Sequence, residues 1–196
     1  MSTTETDLSS LAALLRRVDT RQQLGELIAR YGMAVDDRDF AALARMFAPD
    51  GEFNGVRGRD AIIEFYRART AGFTTSTHYA HGWHFDDIGD DTARGVVNAH
   101  AELCIDGRAV RISLRYMDTY VRGDHGWMFA SRRILFSYVL PFDEVATGIG
   151  DPMRVRWPGQ LPQRADIPDG LQTYLDSRLV PMPAKAAPAT PQDRAP

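Results

Sequence analysis

Residues 93–120 read ARGVVNAHAELCIDGRAVRISLRYMDTY, and this stretch decides the fold prediction. In its first half every second residue is apolar: Val97, Ala99, Ala101, Leu103 and Ile105. Alternation with a period of two is typical of a strand that buries one face. Asp106-Gly107 is a strong hairpin signal, and the alternation resumes from Val110 to Tyr120. The stretch therefore predicts two long antiparallel strands joined by a tight turn.

Strand-like segments continue on both sides of this hairpin. Thr, His, Tyr and Trp dominate Phe73–Phe85, and the turn residues Gly89-Asp-Asp91 follow. After the hairpin, the turn Gly123-Asp-His-Gly126 leads into Trp127–Leu140. The region from Phe73 to Leu140 is therefore predicted to be a meander of long antiparallel strands.

The chain before Phe73 has helical periodicity. An apolar stripe at helical spacing consists of Leu24, Leu27, Ile28, Tyr31 and Val35. Thr20 and Gln23 have the spacing of a capping box, which predicts that this helix begins there. Two shorter helices are predicted near Phe40 and after Arg57, with a brief strand at Gly51–Val56 between them, and Asp37 or Asp39 is expected to cap the helix at Phe40. Helices followed by strands favour an α+β fold, with the N-terminal helices packed on one face of a curved antiparallel sheet.

Composition narrows the class of protein. The 196 residues carry 23 Lys and Arg against 26 Asp and Glu, a net charge of −3, and nucleic acid is not an expected partner because binding it needs a basic face. A single cysteine excludes an internal disulfide and a thiolate zinc site. We find no apolar run that suggests a membrane span and no basic and apolar blocks of a signal peptide at the start. We therefore expect a cytoplasmic protein with no membrane partner.

Proline is distributed unevenly along the chain: apart from Pro49, every proline follows Leu140. Because proline interrupts sheets and long helices, we expect a compact domain at 1–145 and an irregular arm at 146–182 with one short helix near 169–179. Met153, Trp157 and Leu161 give the arm too many large apolar residues for a free linker. We expect it to pack back on the domain, over the pocket mouth or across to a neighbouring subunit. The low-complexity segment 183–196 is expected to be a disordered tail.

Several motifs of the predicted domain match a known family. They are Ile28-Ala-Arg-Tyr-Gly-Met-Ala-Val-Asp-Asp-Arg-Asp-Phe40, Leu43–Phe53, Gly58-Arg-Asp-Ala-Ile-Ile63, Tyr116-x-Asp-x-Tyr120 and Gly126-Trp-x-Phe129 with Arg132. With these motifs, roughly residues 10–140 resemble a SnoaL-like domain of the nuclear transport factor 2-like superfamily. The resemblance implies a cone of curved sheet that encloses an apolar pocket behind the helices.

Within that superfamily the polar residues are most similar to those of a branch of lyases that includes scytalone dehydratase, bile acid 7α-dehydratase and hexachlorocyclohexane dehydrochlorinase. Those enzymes pair an Asp at the end of the first long helix with a His on the following strand, and Asp36 and His78 match them. The resemblance implies that His78 removes a proton while Asp36 orients it, a role that suits imidazole. Tyr31 matches a helix Tyr of the bile acid enzyme, and Arg132 matches an Arg on the last strand of the dehydrochlorinase.

Two further residues complete the expected site. His100, on the strand after His78, is a candidate substrate-binding residue, and Trp83 is a candidate for the pocket wall. The resemblance thus implies a cofactor-independent lyase, most simply a dehydratase, acting on a hydrophobic cyclic, polyketide- or steroid-like small molecule. An isomerase of the ketosteroid type and a non-catalytic binding protein stay open as alternatives. Asp118 with Arg132 suggests an epoxide hydrolase only weakly.

Structural explanations compete with each of these assignments. In these explanations His78 is a structural histidine, Asp36 is a solvated loop residue and Tyr31 is a packing residue. Asp118 and Arg132 then form a buried ion pair. We expect no metal at His78, His81 and His84, because strand alternation puts the first and last of them on one face and His81 on the other. We also expect no cofactor, and a homo-oligomer that is a dimer or a trimer.

Overall fold

The computed structural model describes residues 3–178, so the predicted tail at 183–196 lies outside the described residues. The chain begins with one long helix, α1 (Thr3–Asp36). The predicted helix start at Thr20 is therefore wrong: Thr20 lies in mid-helix, is buried, and its Oγ1 accepts a hydrogen bond from Arg122 Nη2 at 3.2 Å. Over residues 3–178, no helix is both long enough and apolar enough to cross a membrane, and α1 has the length but not the apolar character.

Two short helices and two short strands follow α1. Helix α2 (Phe40–Met46) leads directly into β1 (Phe47–Phe53), and β2 (Val56–Arg57) leads into α3 (Arg59–Thr70). The expected cap is confirmed for Asp39, whose Oδ1 accepts a hydrogen bond from the backbone N–H of Ala42 at 2.8 Å and satisfies a free donor of the first turn. These elements position α3 against β1.

Four long strands form the meander that the alternation predicts. They are β3 (Phe73–Ile88), β4 (Thr92–Ile105), β5 (Arg108–Gly123) and β6 (Gly126–Pro141). With β1 and β2 they make one six-stranded sheet in the order β2-β1-β6-β5-β4-β3. Every neighbouring pair is antiparallel except β1 and β6, which run parallel. The predicted α+β class, with N-terminal helices packed on a curved sheet, is confirmed.

The inner face of the sheet is the face that the odd residues of β4 occupy. Val97, Ala99, Ala101 and Leu103 are each at most 5% exposed and pack in the main hydrophobic cluster with residues of α1 and α3. The even residues of β4 lie on the outer face and are at least partly exposed. Tyr31 and Tyr66 join the same cluster from the helices, so the core and the space beneath the helices are continuous.

Strand β3 contains a bulge at His81. In the register with β4, Ala80 pairs with Ala99 and Gly82 pairs with Asn98, so His81 is an extra residue between two consecutive pairs. An extra residue of this kind interrupts the ladder and changes the side to which the following side chains point. The alternation of β3 is therefore offset by one residue after His81.

The bulge decides which side chains of β3 share a face. His78 pairs with the inward residue Ala101, and Trp83 pairs with the inward residue Val97, so both side chains lie on the inner face. His84 comes one residue later, lies on the outer face and is exposed. The expectation that His78 and His84 share a face is wrong, because the alternation behind it assumed a strand without a bulge.

After β6 the chain runs through a 3-10 turn (Phe142–Glu144) and the short helix α4 (Val145–Gly148), and then continues with little regular structure. The one further helix in its described part, α5 (Gln172–Ser177), is shorter than the predicted helix at 169–179, whose last residue lies outside the described residues.

The described part of the arm packs back on its own sheet, as predicted. Val155, only 4% exposed, bridges to Val139 of β6, and the Trp157 ring meets the Phe136 ring at 5.6 Å. Arg154 is buried and holds Asp169 through two hydrogen bonds of 2.7 and 3.0 Å. The arm thus packs against the second half of β6.

Candidate active site

The candidate site forms where the end of α1 meets β3. Asp36 is the last residue of α1, and its Oδ1 lies 2.6 Å from Nδ1 of His78. Its second oxygen, Oδ2, accepts a hydrogen bond from the backbone N–H of His78 at 2.7 Å. Both side chains are 16% exposed, so the pair is largely shielded from water yet reachable. The structure thus brings the two predicted residues into direct contact.

The local backbone explains why α1 delivers Asp36 to this place. Arg38 has a positive φ of 59°, which turns the chain sharply just after the helix. The Arg38 guanidinium donates to the backbone carbonyl of Val35 and to Oγ of Ser76, each at 2.8 Å. Ser76 lies two residues before His78 on β3, so this contact ties the end of α1 to the strand that carries the histidine.

The contacts of Asp36 define the protonation of the pair. Burial, the largest influence, acts to raise the pKa of Asp36, but the hydrogen bond and charge of His78 outweigh it and lower the pKa. An ionised carboxylate only accepts hydrogen bonds, so Nδ1 of His78 must carry the proton that it shares with Oδ1. The other ring nitrogen, Nε2, then has a free lone pair when the imidazole is neutral, which is what a general base needs.

Two cavities adjoin His78, and both are lined by His78, Tyr31 and Tyr116. We call the first, of about 250 Å³, cavity A; apart from these three its wall includes Phe53, Phe65, Tyr66, Leu103 and Ile112. The second, of about 510 Å³, is cavity B; its wall includes Ile28, Gly32, Asp36, Trp83 and Arg132. An apolar enclosure with a few polar groups is typical of small-molecule sites.

Tyr31 forms a hydroxyl pair with Tyr66 of α3, the two oxygens lying 2.5 Å apart. Both rings are at most 5% exposed. Burial raises the pKa of Tyr31, although the positive charge of Arg132 opposes the rise, and burial raises the pKa of Tyr66 further. Both hydroxyls therefore keep their protons at neutral pH, and since only one proton is used between them, the other is available to a ligand. Sequence analysis did not identify Tyr66 as a site residue.

Arg132 and Asp118 form the buried ion pair that the competing structural explanation proposed. Nε and Nη2 of Arg132 donate to the two oxygens of Asp118 at 2.9 and 2.7 Å, and both side chains are fully buried. Burial opposes the charge, but the charge and hydrogen bonds of Asp118 raise the pKa of Arg132, which stays cationic. Its guanidinium carbon lies 4.1 Å from the ring centroids of Tyr31 and Tyr116, in the wall of cavity B.

One nitrogen of this guanidinium makes no hydrogen bond to the described residues. Nη1 of Arg132 is buried and has no hydrogen-bond partner within residues 3–178. A buried unpaired donor on a cation is uncommon in folded proteins. Arg132 is therefore both a structural partner of Asp118 and a fixed positive charge beneath the Tyr31 ring.

The structure places the two remaining predicted residues differently. Trp83 lines cavity B and lies against α1, where a Cβ at Gly25 would come within 2.9 Å of its ring. His100 does not join the site. It lies on the outer face of β4, where its Nδ1 contacts Nε2 of His81 at 2.6 Å. The even positions of β4 all point away from cavities A and B, so His100 is not part of the proposed site.

Metal-ligand residues do not cluster in this region. Between residues 3 and 178, we find no group of three or more His, Cys, Asp or Glu side chains arranged to hold a metal ion.

Comparison with known proteins adds to this geometry. Residues 16–133 match the sequence profile of the SnoaL-like domain family. The chain belongs to the SnoaL-like domain family. The resemblance on which the sequence expectations rested is thus confirmed, and the described arm beyond β6 lies outside the matched residues. The comparison with curated proteins found no match.

Solved structures of this SnoaL-like type share the fold. Hexachlorocyclohexane dehydrochlorinase LinA-type3 from Novosphingobium barchaimii is 19% identical, with a TM-score of 0.62 over 67% of this chain and 95% of its own. A scytalone dehydratase-like protein from Novosphingobium aromaticivorans is 19% identical, with a TM-score of 0.58 over 71% and 92%.

A nuclear transport factor 2-like protein of Novosphingobium aromaticivorans, described as having a cystatin-like fold, is 29% identical, with a TM-score of 0.53 over 65% of this chain and 88% of its own. These likenesses establish the nuclear transport factor 2-like architecture. At such identities they establish the fold alone.

Proposed function

We propose that the protein is a cofactor-independent lyase of the dehydratase type that acts on a hydrophobic cyclic, polyketide- or steroid-like small molecule. The observation that carries the proposal is the contact of Asp36 with Nδ1 of His78 beside two largely apolar cavities. A paired histidine that lines both cavities has the position and the free nitrogen of a general base. The names of two structural neighbours, a dehydrochlorinase and a scytalone dehydratase-like protein, are consistent with elimination chemistry.

In the first step Nε2 of His78 removes a proton from a carbon next to an activating group such as a ketone. The C–H electron pair moves toward the carbonyl oxygen, and the imidazole becomes an imidazolium. Asp36 stays ionised because its pKa is lowered, so it stabilises this positive charge across the 2.6 Å contact. Proton removal is therefore easiest while the carboxylate is intact.

The tyrosine pair supplies the complementary acid. The free hydroxyl proton of Tyr31 or Tyr66 donates to the oxygen on which negative charge develops, as in an oxyanion hole. The fixed charge of Arg132, 4.1 Å from the centre of the Tyr31 ring, makes that hydroxyl a better donor by favouring negative charge near it. The double bond forms as the C–O bond to the leaving hydroxyl breaks, and the hydroxyl departs as water with the proton from His78.

The test uses a panel of cyclic β-hydroxy ketones in D₂O. Elimination gives a conjugated ketone that absorbs in the ultraviolet, and proton abstraction alone gives deuterium exchange at the α-carbon, which NMR detects. We expect both signals with the wild type and neither with His78→Ala. His84→Ala is the matched control because His84 lies on the same strand but on the outer face.

Three outcomes would replace the proposal. A shifted double bond without loss of water would assign an isomerase of the ketosteroid type. Binding of the ketones without exchange or elimination would assign a binding protein. Turnover by His78→Ala at the wild-type rate would remove His78 from the reaction.

The proposal includes a homo-oligomer, a dimer or a trimer. Support comes from an exposed apolar row on the first turns of α1, at spacings of three and four residues: Leu8, Leu11, Leu15 and Val18. Such spacing is typical of a helix that packs against another helix, and each of these side chains is more than half exposed in the single chain. Light scattering during size-exclusion chromatography should give a multiple of 21.9 kDa, and a monomer would contradict this part.

A further inference from the structure

One permanently charged side chain stands in the wall of cavity A. Arg69 lies in the last turn of α3, is half-buried and lines the cavity. Its guanidinium carbon is 4.3 Å from the ring centroid of Trp157, a residue of the arm, and 5.6 Å from that of Phe73. The aromatic rings hold the guanidinium by cation–π contacts but provide no hydrogen-bond acceptor in the plane of its N–H groups.

The charge of Arg69 has no counter-ion among the residues that the structure describes. No carboxylate of residues 3–178 lies within ion-pair distance of Arg69. By contrast, Arg67, two residues earlier on the same helix, is paired with Glu64 at 3.4 Å. The wall of cavity A contains no Asp or Glu side chain. Partial burial lowers the pKa of Arg69, which reflects a cation that has lost water without gaining an anion.

A second donor lines the same cavity. Oδ1 of Asn54 accepts a hydrogen bond from the backbone N–H of Ile134 at 2.8 Å, which fixes the orientation of the amide. Its NH₂ group is left without a partner among the described residues, and Asn54 is part of the wall of cavity A. Arg69 is therefore the charged donor of cavity A, whose wall is otherwise mostly aromatic and aliphatic, and the exposed Asn54 adds an amide to that wall.

We propose that cavity A binds a substrate that carries a carboxylate, with the carboxylate on Arg69 and the apolar body extending toward His78. The assignment of the reacting end rests on the proposed lyase function; the carboxylate end rests on Arg69 and its surroundings. A carboxylate matches the fork of N–H groups of a guanidinium and neutralises its charge. A neutral hydroxyl or ketone at this position would leave the half-buried cation without a counter-ion, which is the less favourable arrangement.

The experiment compares two probes of nearly equal shape, 1-naphthylacetate and 1-naphthylacetamide, by isothermal titration. The wild type should bind the carboxylate about five- to tenfold more tightly than the amide, the range expected for a charge-assisted contact that is partly open to water. Arg69→Gln should bind the two probes equally, and Arg69→Lys should keep most of the preference. Arg67→Gln is the matched control: Arg67 shares the helix but is exposed and does not line the cavity, so its variant should behave as the wild type.

The preference is a ratio within one variant, so a general weakening of the cavity by lost Arg69 stacking does not produce it or remove it. His78→Ala should keep the preference, which separates this inference from the lyase proposal: loss of turnover with the preference intact tests His78 alone. Equal binding of both probes by the wild type, a preference that survives in Arg69→Gln, or no binding of the carboxylate probe would each overturn the inference.

Discussion

Replacing Asp36 with Asn changes the site by one atom type and should remove most of the activity. In the wild type, Oδ2 accepts the backbone N–H of His78 and Oδ1 faces Nδ1. If the Asn oxygen keeps the backbone contact, its NH₂ group faces Nδ1, which must then accept a hydrogen bond. The imidazole proton moves to Nε2, and the base has no lone pair toward the cavities.

The size of the effect follows from these two contacts. Turning the Asn amide over restores the active tautomer but leaves the backbone N–H of His78 facing an NH₂ group, a lost hydrogen bond of about 1–3 kcal/mol. The active form is then roughly a tenth to a hundredth of the total. Losing the carboxylate also weakens the charge-assisted contact to the imidazolium, which lowers the rate by roughly another factor of ten. We therefore expect kcat to fall about 10²- to 10³-fold, with KM nearly unchanged.

Two measurements check this reasoning. The rate of elimination or of α-deuterium exchange gives kcat, and ¹⁵N NMR of the imidazole reports directly which ring nitrogen carries the proton. Asp37→Asn is the control, because Asp37 is the next residue but is exposed. A rate of the Asp36 variant within about threefold of the wild type, or an Nδ1 of His78 that remains protonated in that variant, would contradict this expectation.

The buried ion pair, the arm and the lowered pKa of Asp36 can each be tested by stability measurements. Asp118→Asn leaves Arg132 charged and buried with a weakened partner, so the free energy of unfolding in urea should fall by about 3–5 kcal/mol, and a fall below about 1 kcal/mol contradicts the pairing. Trp157→Ala removes the contact of the arm with Phe136, and we expect a loss of about 1–2 kcal/mol in the same assay; unchanged stability would mean that the arm adds nothing. The pKa of Asp36 is lowered on folding, so its contribution to stability is present above its ordinary pKa of 3.8 and is lost as pH falls through the lower folded value. The difference in unfolding free energy between wild type and Asp36→Asn should therefore shrink as pH falls from 6 to 3. A difference that stays constant over this range would contradict the lowered pKa of Asp36.

The sheet was predictable because its signal is local. Alternation over Val97–Ile105 and the turn at Asp106-Gly107 both depend on neighbours in the sequence, and both appear in β4 and β5 as expected. Asp39 is a similar case, since a cap acts on the turn that follows it. The start of α1 was missed because a capping-box spacing also occurs inside helices, and Thr20 uses its hydroxyl for Arg122, which is distant in sequence.

The candidate site was predictable only in part, since its parts come from distant segments. The family resemblance pointed to Asp36 and His78, which are 42 residues apart, and no periodicity connects them. Tyr66 meets Tyr31 across 35 residues, and both occupy apolar stripes that look like ordinary core. His100 was placed in the site by analogy, and only the register of β4 with its neighbours shows that its side chain lies on the outer face.

The bulge in β3 gives a last prediction, because it decides what the strand presents to the cavities. His81 is the extra residue, so deleting it should leave Ala80 and Gly82 as consecutive pairs of a regular ladder, with Trp83 still on the inner face. Deleting His84 instead moves either Phe85, which is 3% exposed, or Trp83 to the outer face.

Losing the burial of the Phe85 ring is worth about 2–3 kcal/mol, and losing the contacts of Trp83, which is 46% exposed, is worth less. The His84 deletion should therefore unfold at lower urea concentration than the His81 deletion. With Trp127 and Trp157 replaced by Phe, the fluorescence of Trp83 provides a second readout, since its half-exposed ring should have the same environment with and without the His81 deletion. If the two deletions are equally damaging, the extra residue does not lie at His81, and the face that carries His78 and Trp83 must be set by another part of β3.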